Sequence, residues 1–288
     1  MKIKNSIDFY SSNWPLLVRL LQVDKTQCIH HGYYEKGIRT HVQSVLNMND
    51  FVGRLLNLNS EDKKPLKVLD AGCGIGGTVI YLAKKHPHID FTGINIVIEH
   101  VEMAKNLARE NKVLTNTNFI LRDFTDTGFP SNRFDAIYLI ESACYAEKKQ
   151  ILIRELYRIL KPGGIVIIID VFLTDVQLNP FLNNIYNLFC KGWGLTNLIK
   201  TTEFKELLKT EGFNKIINKN LTKNVTRSII RGDIFCIPYL FSMLIKKILT
   251  GKSYKIEQDK YFPSIVSLLT TLLGLKKGIS YNVFTAIK

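Results

Sequence analysis

A glycine-rich turn follows a predicted buried strand in the first third of the chain. The sequence VLDAGCGIGGT covers residues 68–78, and Gly72, Gly74 and Gly77 satisfy the pattern G-x-G-x-x-G. Glycines at such a turn let a ligand approach the backbone and meet the N-terminus of the next helix. The turn therefore indicates a nucleotide-derived cofactor, but this pattern serves nicotinamide and adenosyl cofactors equally.

Asp70 discriminates between these cofactors. It stands two residues before the first glycine of the pattern, where a carboxylate would face the pyrophosphate of a dinucleotide. Repulsion between unit charges in a partly dry cleft is costly. S-adenosylmethionine has no phosphate and carries a sulfonium and an ammonium, so the same carboxylate attracts it. The alternative is that Asp70 only caps the turn.

Polar and aromatic residues follow the next two predicted strands, where open α/β sheets bind their ligands. Asn95 can hydrogen-bond ribose hydroxyls, at a position where a dinucleotide site more often has Asp or Glu. Asp123 can accept from the adenine amino group, and Phe124 can lie against the ring. Each residue also suits an ordinary turn, but together they favour an adenosyl site.

Strands that alternate with helices must position these residues. Runs rich in Val, Ile and Phe predict five strands, at 66–70, 89–95, 118–122, 134–140 and 165–171. Helices are predicted at 77–85, 98–110 and 148–160. This alternation predicts a parallel sheet covered on both faces.

The pattern changes after the fifth strand. It predicts an aromatic helical region at 177–200, a short helix from 201 to 212, an extended stretch at 214–230 and a final strand at 280–287. Two apolar segments that also contain lysines, 234–249 and 261–274, are predicted as helices. They could cover the sheet, form a lid over a lipophilic substrate or contact anionic lipid. Helices outside the sheet are predicted before residue 66.

The charge is unevenly distributed. The net charge is +14, and residues 171–288 carry 17 basic and 7 acidic side chains. This surplus indicates an anionic partner, such as a phosphorylated substrate, acidic lipid or nucleic acid, or else an ordinary soluble surface. Five scattered cysteines without a C-x-x-C pair suggest neither a disulfide framework nor a zinc site. With no signal peptide and no apolar run of roughly 20 residues, a cytoplasmic protein is expected.

Residues 66–171 resemble the core of the class I S-adenosylmethionine-dependent methyltransferases. The resemblance rests on VLDAGCGIGG, FTGINI, NFILRDF, FDAIYLIESA and LKPGGIVIIIDV, in that order. Within this superfamily the chain is most similar to the γ-tocopherol methyltransferase-like and sterol methyltransferase-like branch. The supporting features are HHGYYE at 30–35, the pair Glu141-Ser142 and the late stretch GLKKGISYNVFTAIK.

The resemblance implies an α/β fold with a doubly wound, mostly parallel, seven-stranded Rossmann-like sheet. N-terminal helices and helical insertions near the C-terminus, which form a lid, complete the expected fold. It implies an N-terminal helical cap at 1–65 and a methyltransferase domain at 66–288, with lid insertions at about 175–200 and 231–278.

The resemblance also implies a set of cofactor-binding residues. Tyr33 or Tyr34 would close over the methionine end of S-adenosylmethionine, and Asn95 with Ile96 would hold the ribose and adenine edge. His100 stands where this branch commonly has a glutamine. The predicted cofactor site comprises Tyr33, Tyr34, Asp70, Gly72, Gly74, Gly76, Asn95, Ile96, His100, Asp123, Phe124 and Glu141, with no metal.

Four residues are catalytic candidates: His31, Glu141, Tyr145 and Asp170. Many relatives have a histidine base where this chain has Tyr145, and a tyrosine with a pKa of about 10 is a poor base at neutral pH. Carbon nucleophiles depend less on a general base, and Glu141 and tyrosine faces could stabilise the carbocation left by an alkene. Asp170 is a candidate proton acceptor. Alternatively, Glu141 fixes Tyr33 or the cofactor ammonium, and His31 has no chemical role.

The expected function is therefore methyl transfer from S-adenosylmethionine to a small lipophilic acceptor, with carbon methylation of an isoprenoid, prenylated or aromatic compound leading. The acceptor could also be anionic, and an anionic membrane could be contacted peripherally. An N- or O-methyltransferase of a small-molecule natural product is the alternative. A nucleic-acid methyltransferase is disfavoured because the turn after the fourth strand reads IESA rather than Asn/Asp-Pro-Pro-aromatic. The Asp70 carboxylate argues against a nicotinamide dehydrogenase, because it would repel the pyrophosphate of that cofactor.

Overall fold

The computed structural model describes residues 21–58, 66–234 and 278–288, together with residues 18, 237, 241 and 268. The helices predicted at 234–249 and 261–274 lie almost entirely outside the described residues. The same holds for most of the lid insertion predicted at 231–278.

A seven-stranded sheet with the order β3-β2-β1-β4-β5-β7-β6 forms the centre of the structure. The strands β1 to β5 are parallel, and β7 runs antiparallel to both β5 and β6. The strands are β1 (Lys67–Ala71), β2 (Asp90–Asn95), β3 (Thr117–Leu121), β4 (Phe134–Ile140), β5 (Leu160–Leu173), β6 (Asn214–Asn220) and β7 (Ile279–Ile287). The predicted Rossmann-like sheet is confirmed.

Helices flank this sheet. They are α1 (Val23–Thr26), α2 (His41–Leu55), α3 (Gly77–Lys85), α4 (Ile98–Glu110), α5 (Lys149–Ile159), α6 (Pro180–Gly192), α7 (Thr201–Thr210) and α8 (Thr222–Ile234). A short 3-10 helix, Ala143–Tyr145, follows β4. The start of α2 is fixed by a capping box, in which Thr40 accepts from the backbone N–H of Gln43 while the Gln43 side chain accepts from that of Thr40.

Two apolar clusters lie on the two faces of the sheet. One contains Val52 of α2, Val79 of α3 and Val101 of α4. The other contains Leu152 of α5 and Phe204 of α7. Each central strand has apolar residues buried on both faces, which explains the continuous apolar runs in the sequence.

The structure corrects two predicted elements. The extended stretch predicted at 214–230 ends at Asn220 and is followed by α8, because Val225 and Ile229 lie four residues apart and pack one helix face on the core. Strand β5 begins at Leu160 instead of 165, and Leu160 pairs with Phe134 ahead of a bulge. The Pro-Gly-Gly sequence therefore lies within the strand as an irregularity.

Candidate active site

A cavity of about 1070 Å³ lies at the carboxyl ends of the parallel strands. Its volume is at the upper end of the range for small-molecule sites. Ten of the predicted site residues line it: Asp70, Gly72, Gly74, Asn95, Ile96, His100, Asp123, Phe124, Glu141 and Tyr145. The wall beyond Tyr145 includes Ala146, Ile151 and Leu195, which are apolar. Polar residues that include Lys148, Lys191 and Thr196 line the same region, so the cavity has a polar end over the glycine-rich turn and a mixed wall with apolar patches further on.

The glycine-rich turn forms one side of this cavity. Gly72 has a φ of +105°, and its N–H donates to the carbonyl of Ile94 at 3.0 Å. A Cβ at Gly72 would lie 2.4 Å from Cβ of Ser142, and the Ser142 hydroxyl donates to the carbonyl of Ala71 at 2.7 Å. Both the positive φ and the close approach of the β4 end require glycine here.

Asp70 is 4% exposed and lines the cavity. Burial raises the pKa of its carboxyl to about 7, although the Tyr138 hydroxyl and the charge on His30 act in the opposite direction. A buried carboxylate with so high a pKa gains from a cationic partner, because the partner's charge replaces the lost solvation.

Asn95 and Asp123 line the cavity and also hold their own turns. The amide oxygen of Asn95 accepts from the backbone N–H of Val97 at 2.9 Å. Oδ1 of Asp123 accepts from the N–H and the hydroxyl of Thr125, both at 2.7 Å. Each turn bond occupies one side-chain oxygen and fixes the orientation of the side chain. His100 also lines the cavity, and burial lowers its pKa to about 4, so its imidazole is neutral.

Glu141 joins three parts of the chain at the end of β4. Its Oε1 accepts from the backbone N–H of His31 at 2.8 Å and from the Tyr281 hydroxyl of β7 at 2.7 Å. Its backbone has a φ of +51°, an unusual conformation for a residue other than glycine. Such strained positions cluster at functional sites.

Five predicted site residues are not among those that line the cavity: His31, Tyr33, Tyr34, Gly76 and Asp170. Tyr33 is 4% exposed and stacks on Phe51 with ring centroids 4.5 Å apart. The guanidinium of Arg227 lies 4.8 Å from the ring centroid of Tyr34. The geometry therefore gives no direct support to a tyrosine that closes over the cofactor.

Asp170 is 1% exposed and caps local backbone. Its two carboxylate oxygens accept from the N–H groups of Cys144 and Val171 at 2.9 and 2.8 Å. Burial raises its pKa to about 6, partly offset by those two bonds. These contacts favour a structural role over the predicted proton transfer. His31 reaches the site through its backbone N–H, while its ring lies edge-on to Tyr281.

Several wall residues were not predicted from the sequence. Cys28, Ile29, His30 and Thr78 line the cavity beside the glycine-rich turn, and Asn187 and Thr196 line it elsewhere. No spacing pattern signals them, because the N-terminal residues, α3 and the region of α6 meet at the cavity only in the folded chain. Among the described residues, no cluster of His, Cys, Asp or Glu suits a metal ion. Within that same part of the chain, no helix is long and apolar enough to cross a membrane.

Comparison with known proteins places this architecture in context. Residues 69–168 match the methyltransferase domain family. The sterol 24-C-methyltransferase of Neurospora crassa is 31% identical over 193 residues, which cover 66% of this chain and 49% of the relative. The tocopherol O-methyltransferase of Arabidopsis thaliana is 28% identical over 201 residues, covering 65% and 58%. The chain thus spans about half the length of the curated relatives it matches.

Solved structures agree on the fold. A cyclopropane synthase from Mycobacterium tuberculosis superimposes with a TM-score of 0.76 at 16% identity, covering 98% of both chains. At this identity the likeness concerns the fold alone. The family match over residues 69–168, the sheet order and the glycine-rich turn together support a class I methyltransferase domain that is similar to those of the sterol and tocopherol methyltransferases.

Proposed function

We propose that this protein transfers a methyl group from S-adenosylmethionine to a small lipophilic acceptor, and that carbon methylation of an isoprenoid, prenylated or aromatic compound is the reaction. The observation that carries this proposal is the buried Asp70 carboxylate on the wall of a large cavity, beside the glycine-rich turn. The match of residues 69–168 to the methyltransferase domain family supports methyl transfer, and the similarity to a sterol 24-C-methyltransferase supports a carbon acceptor of isoprenoid origin.

The residues at the polar end of the cavity suit S-adenosylmethionine. Asp70 would hold its positively charged methionine end, and Asn95 with Ile96 would contact the ribose. Asp123 and Phe124 would contact the adenine, with the neutral His100 on the same wall. When bound, S-adenosylmethionine supplies a methyl group on a positively charged sulfur.

The chain's own contribution is largely positional. An in-line displacement is accelerated when nucleophile and methyl are held in near-attack contact. Ala146, Ile151 and Leu195 offer a lipophilic acceptor apolar patches on the cavity wall, beside polar residues such as Lys148 and Lys191. Glu141 lies on that wall with Tyr145, so its carboxylate can stabilise positive charge that develops on an alkene or ring. The Tyr145 ring can add a cation–π contact.

Product analysis tests this proposal. The protein is incubated with S-adenosylmethionine carrying a deuterated methyl group and with a panel of prenols, sterols and prenylated phenols. Mass spectrometry should find a labelled product, and NMR should place the label on carbon. The Asp70→Asn variant is the matched control and should lose most of the rate. Absence of transfer to any acceptor, together with binding of a pyrophosphate nucleotide in preference to S-adenosylhomocysteine, would overturn the assignment.

O-methylation is the second candidate function. The relative named for it is the tocopherol O-methyltransferase, and Tyr145 places a hydroxyl on the cavity wall. A phenolic oxygen would need its proton removed, and a tyrosine hydroxyl is a weak general base at neutral pH. The position of the label in the same experiment separates the two reactions. A label on oxygen would establish the second candidate in place of the first.

We also propose peripheral contact with an anionic membrane. Ile234, Ile237 and Phe241 are 55%, 48% and 64% exposed, and their spacing of three and four residues suits one helix face. The basic surplus after residue 170 would attract acidic headgroups. Flotation with vesicles of phosphatidylserine should recover the protein, whereas vesicles of phosphatidylcholine should not. Equal recovery of wild type and the I237S/F241S double variant would refute this surface.

A further inference from the structure

A short strap of chain, residues 27–32, covers the glycine-rich turn. Within it, Cys28, Ile29 and His30 line the cavity. The contact is close, because a Cβ at Gly77 would lie 1.8 Å from the carbonyl oxygen of Gln27 and one at Gly74 would lie 2.9 Å from Cδ1 of Ile29. The cofactor end of the cavity therefore exists only while the strap is held down.

Asn49 of α2 holds this strap in place through side-chain hydrogen bonds. Its side chain is fully buried and does not line the cavity. Its Oδ1 accepts from the Thr78 hydroxyl at 2.9 Å and lies 3.0 Å from Nε2 of His30, and its Nδ2 donates to Sγ of Cys28 at 3.4 Å. One amide thus joins two residues of the strap to the first turn of α3.

The bonds to His30 explain its charge state. Nδ1 of His30 lies 3.0 Å from the carbonyl oxygen of His31, and Nε2 faces the amide oxygen of Asn49. Both partners are acceptors, so the arrangement accommodates an imidazole that donates from both ring nitrogens, with the Thr78 hydroxyl 3.3 Å from Nε2 as well. Burial alone lowers the pKa of His30, but the Cys28 sulfur and Glu141 outweigh burial and raise the pKa to about 9.

The far end of the strap is held separately. The N–H of His31 donates to Glu141 at 2.8 Å, and the N–H of Gly32 donates to the Ser228 hydroxyl of α8 at 3.0 Å. Asn49 therefore controls the part of the strap over the cofactor end, and Glu141 controls the part nearer the acceptor.

We propose that Asn49 is a positioning residue for cofactor binding, which acts by holding Cys28 and His30 so that the strap closes the cofactor end of the cavity. This inference rests on the proposed function, since it presumes that S-adenosylmethionine occupies that end. Asn49 itself touches no ligand in this proposal.

The test compares Asn49→Ala with Asn116→Ala. Asn116 is the control, because its buried amide is likewise hydrogen-bonded, to the carbonyls of Ala83 and Ile89 at 3.2 Å, but it does not line the cavity and has no hydrogen bond to the strap. Calorimetry with S-adenosylhomocysteine and hydrogen exchange of the peptide 27–34 are measured on both variants. We expect Asn49→Ala to weaken binding about tenfold and to speed exchange in that peptide, with kcat at saturating S-adenosylmethionine changed far less. Asn116→Ala should lower the melting temperature without either effect.

The proposal is overturned if the two variants lose stability alike and show the same affinity and the same strap exchange. Should Asn49→Ala fail to fold, Thr78→Val removes the bond to Asn49 and the 3.3 Å contact with Nε2 of His30. Because Thr78 also lines the cavity, strap exchange rather than affinity is compared, and Thr78→Ser, which keeps the hydroxyl, must exchange more slowly than Thr78→Val. If wild type does not bind S-adenosylhomocysteine, the proposed function fails. The exchange comparison then still decides whether Asn49 holds the strap.

Discussion

At the residue scale, Asp70 combines a structural cost with a binding role. Burial raises its pKa to about 7, so near neutral pH the folded protein holds this carboxyl partly protonated. Only the ionised form attracts a cationic ligand. Ionisation of Asp70 therefore strengthens ligand binding but lowers the stability of the ligand-free folded chain.

Binding of S-adenosylhomocysteine, which keeps the ammonium of the donor, should strengthen with pH through ionisation of Asp70. A group with a pKa of about 7 is about tenfold more ionised at pH 8 than at pH 6, so we expect about tenfold tighter binding at the higher pH. Calorimetry across this range measures the effect. Asp70→Asn should bind weakly at both pH values, and an unchanged pH slope in that variant would assign the effect to another group.

Folding stability should show the reverse dependence. Unfolded aspartate ionises near pH 4, whereas the folded Asp70 keeps its proton up to about pH 7, so in this interval the native state binds more protons. The contribution of Asp70 to the free energy of unfolding therefore falls as pH rises from 4 to 7. We expect Asp70→Asn to raise the melting temperature of the ligand-free protein by a few degrees at pH 8 and by less at pH 5. A lowered melting temperature at pH 8 would contradict this account.

Glu141 allows the charge and the hydrogen bonds of one side chain to be separated. Glu141→Gln keeps an oxygen that can accept from His31 and Tyr281 but loses the negative charge. If that charge stabilises the transition state, kcat should fall about a hundredfold while the affinity for S-adenosylhomocysteine changes little. Tyr281→Phe is the control for the bond alone. A kcat of Glu141→Gln that matches Tyr281→Phe would leave Glu141 a purely structural role.

At the element scale, the carboxyl edge of the sheet is packed too closely for a side chain at Gly72. The β1–α3 turn lies against the β4 end, and Gly72 meets Ser142 there. Gly163, inside β5, also has a positive φ of +76° but has nothing within 4 Å of its Cβ position. This pair of glycines separates backbone strain from steric contact.

Gly72→Ala should be the more damaging of the two substitutions. Strain at positive φ costs about 1–3 kcal/mol, and overpacking against Ser142 adds about as much again. Gly163→Ala should show the strain alone and keep the affinity for S-adenosylhomocysteine, whereas Gly72→Ala should lose that affinity. Urea unfolding and calorimetry measure both quantities. If the two variants lost the same free energy of unfolding, the end of β4 would have moved to relieve the contact between the methyl group added at Gly72 and Ser142.

The elements that were predictable from the sequence are those whose local pattern agrees with their tertiary setting. Strand β4 and helices α3 and α4 have the predicted bounds, because apolar periodicity and turn residues indicate the same limits. Helix α8 was mistaken for extended chain because its β-branched residues favour strands, and only its contact with the core selects a helix. The sequence predicts the residues at the strand ends and singles out His31 of the strap, but it does not predict the contact between the strap and Asn49, since nothing local in the sequence encodes it.

At the scale of the whole molecule, the cavity is built from segments far apart in sequence. Cys28 of the strap, Asp70 of β1, Glu141 after β4 and Asn187 of α6 all contribute to its wall. A ligand that touches several of these segments resists their separation, so its binding energy adds directly to the stability of the folded chain.

This coupling predicts a selective thermal shift. S-adenosylhomocysteine at a hundred times its Kd should add about 2.7 kcal/mol to the free energy of unfolding, or about 5 °C in Tm for a chain of this size. NADH at the same concentration should give no shift, because its pyrophosphate meets the Asp70 carboxylate in the same cavity. Asp70→Asn should lose most of the shift with S-adenosylhomocysteine, while Gly163→Ala keeps it, which separates loss of the site from general weakening. A thermal shift with NADH and none with S-adenosylhomocysteine would mean that the turn beside Asp70 binds a pyrophosphate. It would contradict the proposed attraction between the Asp70 carboxylate and a cationic ligand.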